Sequence, residues 1–304
     1  MANIIAVVWD FDKTLFDGYM QDPIFEHYKQ DANKFWTEVN ALPSKYESQG
    51  IKVNKDTIYL NQFIKYTKEE KFKGLNNNKL REFGGNLKFY NGIPEIFKKT
   101  KEKIEKNTKY KLYGIEVEHY IVSTGMKQII EGSNIRNYIK QVWACGLIED
   151  IDPNKPEEKI ISEIGYTIDN TSKTRALFEI NKGVGIWEDI DVNMKIEKEF
   201  RRVQFENMIY IADGPSDIPA FSVIKKNGGS TFAIYPKGKE KEFKQVEQMR
   251  KDGRIDMFAE ADYSEGTTAY MWIMNKIEEY ADRIYNKERS KISLNSTPKH
   301  IIDW

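Results

Sequence analysis

Short runs of apolar, β-branched and aromatic residues recur along the chain, and most are separated by stretches in which apolar positions return every three or four residues. This alternation predicts a parallel sheet with helices on its faces, because parallel strands are buried on both sides and read as near-continuous apolar runs. The runs place strands near 4–9, 119–123, 141–145, 207–212 and 230–235, with a weaker one near 260–263. Between them, Ile93-Pro94-Glu95-Ile96-Phe97 opens a Lys-rich helix to about 107, Met126 to Ile139 reads as a second and Ser172 to Ile180 as a third. An amphipathic pattern over about 266–287 predicts a last helix, and a polar tail from about 288 to Trp304 has no period and is expected to be mobile.

Residues 18–85 break the alternation. They contain no strand-like run but many aromatics at mostly helical spacing, including Tyr19, Phe25, Tyr28, Phe35, Trp36, Tyr59, Phe63 and Tyr66. The segment reads as a helical lobe inserted into the α/β core, with Gly84-Gly85 and Asn91-Gly92 as flexible points of return. Residues 149–170 are rich in Pro, Asp and Glu and then alternate through Ile164-Gly165-Tyr166-Thr167-Ile168, which predicts a long loop with a small hairpin. There is no internal repeat.

Composition narrows the function classes. With 304 residues, 40% hydrophobic and 13% aromatic, the chain can bury a large interior, so disordered and collagen-like classes fall away. Lys+Arg and Asp+Glu both count 47, so no overall field holds a polyanion or an anionic bilayer, and phosphate recognition must be local. Lys-rich stretches such as 98–106 and 237–244 are interleaved with Glu and read as solvated helix faces rather than nucleic-acid contacts. Cys145 is the single cysteine and sits in an apolar run, which fits a core thiol. The N-terminal apolar run lacks a basic flank and no stretch reaches the ~18 apolar residues of a membrane span, so a soluble cytoplasmic protein is expected.

Ligands of an open α/β sheet gather at the carboxyl ends of its strands, so the residues just after each apolar run carry the candidate chemistry. The first run ends in Asp10-Phe11-Asp12-Lys13-Thr14-Leu15, and alternation sends Asp10 and Asp12 to one side, where two carboxylates repel unless a cation lies between them. Acids capping a strand before a solvated turn would carry the same pair, and for two Asp alone that reading is as good. A second acidic pair, Asp213-Gly214-Pro215-Ser216-Asp217, follows the run 207–212, and two such pairs suit a hard divalent cation that needs several oxygen ligands. Taken singly, this pair also fits an ordinary strand-to-helix turn with a capping acid. Ser123-Thr124-Gly125 follows a third run and offers a hydroxyl and backbone N–H groups to a phosphate oxygen, although the same tripeptide is a common N-cap. Lys173 opens a helix, where the dipole disfavours a cation, and alone it reads as a surface lysine.

Taken in order, Asp10-Phe11-Asp12-Lys13-Thr14-Leu15, Ser123, Lys173 and Asp213-Gly214-Pro215-Ser216-Asp217 resemble the four motifs of the haloacid dehalogenase superfamily, in its phosphatase branch with a phosphoserine-phosphatase-like helical cap after the first motif. The resemblance covers roughly 1–17 and 86–270. It implies an α/β, Rossmann-like three-layer sandwich with a parallel sheet, discontinuous over 1–17 and 86–304, plus a small helical cap domain over 18–85. It also implies a catalytic set of Asp10, Asp12, Ser123 and Lys173: Asp10 as nucleophile forming an aspartyl-phosphate, Asp12 as general acid and then base, Ser123 bonded to the phosphoryl group, and Lys173 balancing charge. Ser123, Thr124, Gly125 and Lys173 would bind the phosphate. Asp10, Asp12 (through its backbone carbonyl), Asp213 and Asp217 would hold Mg2+, with Asp217 acting through a water or by pairing with Lys173.

Asp12 argues against dehalogenation, because the dehalogenases of the superfamily lack an acid there. Ala212 stands where many relatives have Gly, a departure that removes no ligand. The expected activity is a Mg2+-dependent phosphohydrolase acting on a small phosphorylated metabolite, with no nucleic-acid or membrane partner. A phosphomutase or phosphotransferase, and an inactive binding module on the same fold, are the alternatives. Asp17, Tyr19, Glu26 and His27 are candidate substrate contacts in the lid, whereas its aromatics read mainly as lobe core, and His27 and His119 as structural.

Overall fold

The structure is a computed structural model that describes residues 3–295. Its centre is a seven-stranded sheet of β1 (Asn3–Trp9), β2 (Ile115–Met126), β3 (Ile139–Asp152), β4 (Lys155–Tyr166), β5 (Met208–Ala212), β6 (Ser230–Tyr235) and β7 (Met257–Glu260). Their order is β4-β3-β2-β1-β5-β6-β7, with every neighbouring pair parallel except β3 and β4. β1 lies between β2 and β5, and from Ile5 to Trp9 it has no exposed surface, which is why it reads as one unbroken apolar run.

Two helical layers flank the sheet. On one face Trp9 meets Phe97 of α5 (Glu95–Glu105) edge to face, with ring centroids 5.4 Å apart. Trp9 pairs with Ile211 and Val8 with Tyr210, so Tyr210 points to the opposite face, where it meets Phe221 of the helix Ile218–Lys226. The fold is therefore an α/β, Rossmann-like three-layer sandwich around a mostly parallel sheet. The helix Lys173–Lys182 joins Ile218–Lys226 on that second face, while the final helix, Thr268–Asn295, packs on α5, α6 (Thr108–Lys111), β1 and β2. No helix among the described residues is long and apolar enough to cross a membrane.

Four helices stand between β1 and α5: α1 (Asp22–Tyr28), α2 (Ala32–Glu47), α3 (Ile58–Lys68) and α4 (Asn77–Gly85). Phe25, Phe35, Phe63 and Phe72 form their centre, with centroids 4.8 Å apart for Phe35–Phe63 and 5.1 Å for Phe63–Phe72. Most aromatics at helical spacing in this segment therefore form its core.

Several sequence expectations need correction. Met126–Ile139 is not one helix: β2 continues to Met126, α7 covers only Lys127–Glu131, and a single 3-10 turn at Arg136–Tyr138 leads into β3. Close backbone contact explains the short helix, since a Cβ at Gly132 would lie 2.0 Å from the Arg81 carbonyl oxygen and one at Gly84 1.9 Å from that of Ile129. Gly84 and Gly85 are thus part of α4, with Gly84 a packing contact rather than a hinge. Residues 149–166 are not a long loop with a small hairpin. They lie in β3 and β4, which reverse at Pro153-Asn154, and the hairpin braces the helical segment through Ile161 N–H to Leu75 O (2.9 Å) and Asn77 N–H to Glu149 Oε1 (2.6 Å). The last strand lies at Met257–Glu260, slightly before the expected 260–263, and the last helix runs on to Asn295, so 288–295 are helical. The rest of the expected tail, 296–304, lies outside the described residues.

Candidate active site

Asp10 follows the last residue of β1, and its N–H donates to the Ile211 carbonyl of β5 (2.8 Å), which aligns the carboxyl ends of the two strands. Asp213 follows β5 directly, and Asp217 closes the 3-10 turn after it. The burial that makes both strands apolar thus delivers carboxylates to one point at the carboxyl ends of the central strands. Carboxylate oxygens of Asp10, Asp213 and Asp217 lie within 4.8 Å of one another.

Lys173 enters this group from α8, the helix Lys173–Lys182. Its side chain is almost wholly buried, with Nζ 2.8 Å from Asp10 Oδ1 and 2.7 Å from Asp217 Oδ1. A cation in the first turn of a helix opposes the helix dipole. Asp169 offsets this by accepting from the Thr171 and Ser172 N–H groups (3.0 and 2.6 Å), and those bonds hold its carboxyl below the ordinary value. Asp217 accepts three hydrogen bonds: Oδ1 accepts from Lys173 and from the Tyr210 hydroxyl (2.6 Å), and Oδ2 from Ser216 (2.8 Å). Of the two roles expected for Asp217, pairing with Lys173 is the one seen.

Electrostatics follow from burial. Desolvation pushes Asp10 up to about 6 in spite of Lys173, with Asp217 adding to the rise. Desolvation, with Asp10 and Asp217 close by, pushes Asp213 up to about 7. For Lys173 burial alone would lower the pKa, but Asp10 and Asp217 outweigh it and raise it. One buried cation among several acids leaves negative charge uncompensated, and the donor set is oxygen only, which is the chemistry a hard divalent cation such as Mg2+ matches.

The Asp12 carboxylate is not part of this cluster. Oδ1 accepts from the Met20 N–H (2.9 Å), and burial followed by Asp10 keeps the carboxyl well above the usual range. Lys13 adopts a left-handed backbone (φ 58°), and its Nζ meets the Tyr19 hydroxyl at 2.7 Å. Ser123 lies near the end of β2, one residue beyond the level of Asp10, and its Oγ accepts from the Gly125 N–H (3.0 Å). The Thr124 carbonyl accepts from the Tyr59 hydroxyl of α3 (2.9 Å) and from the Cys145 thiol (3.4 Å). Gly125 has the Met20 side chain against it, and the Met126 N–H points to Met20 Sδ at 3.0 Å.

Three further candidates stay outside. His27 packs on Tyr28 and Phe83, and among the described residues no contact ties Asp17 or Glu26 to the acidic cluster. His119 is structural: Trp9 Nε1 donates to its Nδ1 (3.1 Å), Thr100 Oγ1 lies 2.8 Å from Nε2, and burial, helped by Lys101, lowers its pKa to about 3. Burial likewise pushes the Cys145 thiol up to about 11, consistent with a core cysteine. Sequence reasoning missed Tyr210, Asp169, Tyr59 and Met20. A phenol inside the apolar run Met208–Ala212 was a usable signal for Tyr210, whereas Met20 carried none.

No family model matches this chain. A protein of Borreliella burgdorferi, described as uncharacterised, is 38% identical over 287 residues and spans 90% of this chain and 97% of its own length. Among solved structures, a HAD-family hydrolase of Salmonella enterica serovar Typhi superposes with a TM-score of 0.51 at 15% identity, covering 85% of this chain and 67% of the other. A probable phosphoserine phosphatase of Vibrio cholerae superposes with a TM-score of 0.50 at 12% identity, covering 93% and 67%. At these identities the likeness is one of fold.

Proposed function

We propose that this chain, which belongs to one family with the uncharacterised Borreliella burgdorferi protein and has the haloacid dehalogenase fold, is a Mg2+-dependent phosphohydrolase that cleaves a small phosphomonoester through an aspartyl-phosphate on Asp10. The observation that carries the reading is the buried Lys173, bonded to Asp10 and Asp217 beside Asp213. A structural ion pair would need one carboxylate; three carboxylates with one lysine suit a site that receives a cation and a phosphoryl group.

Asp10 and Asp213 are the residues that would hold Mg2+, joined by the Asp12 backbone carbonyl, and Asp217 anchors Lys173. When bound, the cation supplies charge neutralisation for the phosphoryl oxygens. Asp10, with one oxygen held by Lys173, attacks phosphorus, forming the acyl phosphate bond as the bond to the leaving oxygen breaks. Asp12, whose raised pKa keeps a proton available, gives that proton to the leaving alcohol. It then takes one from the water that attacks phosphorus and frees Asp10 and orthophosphate. Ser123, with Thr124 and Gly125, binds the transferred group, and Lys173 stabilises its charge.

Residues 18–85 act as the cap in this reading, excluding water and presenting Tyr19, whose hydroxyl accepts from Lys13 of the first motif, toward the leaving group. Its placement favours a small phosphorylated metabolite over a protein or nucleic acid, in a cytoplasmic setting. The test is hydrolysis of an aryl phosphate by purified protein with Mg2+ and then with chelator. Metal-dependent release of orthophosphate is expected; no release with Mg2+ present, or release indifferent to chelator, contradicts the reading. Adding an acceptor alcohol separates a hydrolase from a phosphotransferase, because a transferase yields the new ester in place of orthophosphate.

A further inference from the structure

On the phosphohydrolase reading above, we propose that Met20 is a built-in competitor for the phosphoryl group, its thioether occupying the cradle between Asp12 and Ser123, so that substrate binds only by displacing it and Met20 thereby sets the enzyme's affinity for phosphate. Three contacts define the arrangement. The Met20 N–H donates to Asp12 Oδ1 (2.9 Å), which ties the backbone of this residue to the carboxylate expected to move the proton. The Met126 N–H, at the end of β2, points at Met20 Sδ (3.0 Å). A Cβ placed on Gly125 would lie 2.1 Å from Met20 Cε, 2.5 Å from Sδ and 3.2 Å from Ser123 Oγ, so the thioether and the serine hydroxyl share one face of Gly125.

That face is where an anion would be held. It has a hydroxyl, a glycine that lets a ligand come close to the backbone, and a backbone N–H at the end of a strand. Thioether sulfur is a weak acceptor, and a phosphate oxygen is a strong one. An N–H satisfied by sulfur is therefore occupied without being strongly held, and a charged oxygen can replace it. Met20 is fully buried, so the cradle is closed to solvent while the thioether is in place. The neighbouring Gln21 is also buried, and its Oε1 has no partner, so this strap is not fully satisfied in the position it holds. A site whose binding-competent form is only fractionally populated has its apparent affinity reduced by that fraction, which is the effect assigned to Met20.

The decisive variant is Met20→Ala, which keeps the backbone N–H to Asp12 and removes only the side chain. Orthophosphate binding in the presence of Mg2+, read by titration calorimetry, is expected to tighten by at least about fivefold in the variant, corresponding to a competent fraction of at most about one fifth in the unaltered protein. A second measurement needs no variant. Met20 oxidation by dilute peroxide, mapped by peptide mass spectrometry on the unaltered protein, is expected to be slow in the free form and faster with Mg2+ and orthophosphate. Equal or weaker phosphate binding by a folded Met20→Ala, or Met20 oxidation unchanged while phosphate binds, overturns the proposal. Absence of phosphate binding in both proteins overturns this proposal as well, while the phosphohydrolase reading stands or falls with the hydrolysis of aryl phosphate.

Discussion

At Lys173 a single side chain decides both stability and chemistry. It is the buried cation that faces Asp10 and Asp217, and removing one partner of a buried charge group leaves the others uncompensated. Lys173→Ala is expected to lower stability by about 3–5 kcal/mol in denaturant unfolding and to cut turnover by several orders of magnitude. Full activity in a folded variant would remove Lys173 from the mechanism. The residue was legible from its place in a motif and not from its own surroundings, because nothing local marks a lysine at a helix start as buried. Asp10 and Asp213 were legible for a physical reason: each follows an apolar strand, and strand ends are where a parallel sheet exposes functional groups. Asp12 lies close enough to Asp10 for that charge to raise its pKa, as alternation expects, while the Met20 N–H holds its carboxylate beside the cluster of the other three acids.

At the scale of elements, the β3–β4 hairpin is the feature that sequence reading rendered least well. Its strands carry exposed charges and register shifts that blur the alternation, so an acidic stretch that looks like loop is in fact a brace for α4. Glu149 accepts from the N–H of Asn77, the first residue of that helix, where a carboxylate also complements the helix dipole. Glu149→Ala is expected to cost about 1 kcal/mol, with faster amide exchange confined to the first turn of α4. Unchanged exchange there would show that the hairpin does not brace the helix. The central strands needed no such correction, since burial on both faces leaves an apolar run that alternate registers cannot mimic. Helix α7 was overextended in the reading because its limit comes from Arg81, distant in sequence, whose carbonyl lies against Gly132.

For the whole molecule, the uncompensated acids link metal, pH and stability. Folding raises Asp10 from 3.8 to about 6 and Asp213 from 3.8 to about 7, so the folded state holds these protons more tightly than the unfolded chain. The stability they contribute is complete below 3.8 and is lost progressively as pH rises from there through about 6 to about 7. A cation takes the ionised carboxylates and competes with their protons. Mg2+ is therefore expected to raise Tm clearly above about pH 7 and little at about pH 5, in paired melts with and without metal. An equal rise at both pH values would exclude these carboxylates as ligands. The central claim is that Asp10 is phosphorylated during turnover, and it is tested most directly on the covalent intermediate. Enzyme turning over a phosphomonoester is quenched in acid, reduced with borohydride and digested, and the peptide spanning residue 10 is weighed. An acyl phosphate is reduced where a free carboxylate is not, so homoserine at position 10, absent without substrate, is the result predicted. Hydrolysis that proceeds with position 10 always recovered as aspartate would contradict the account.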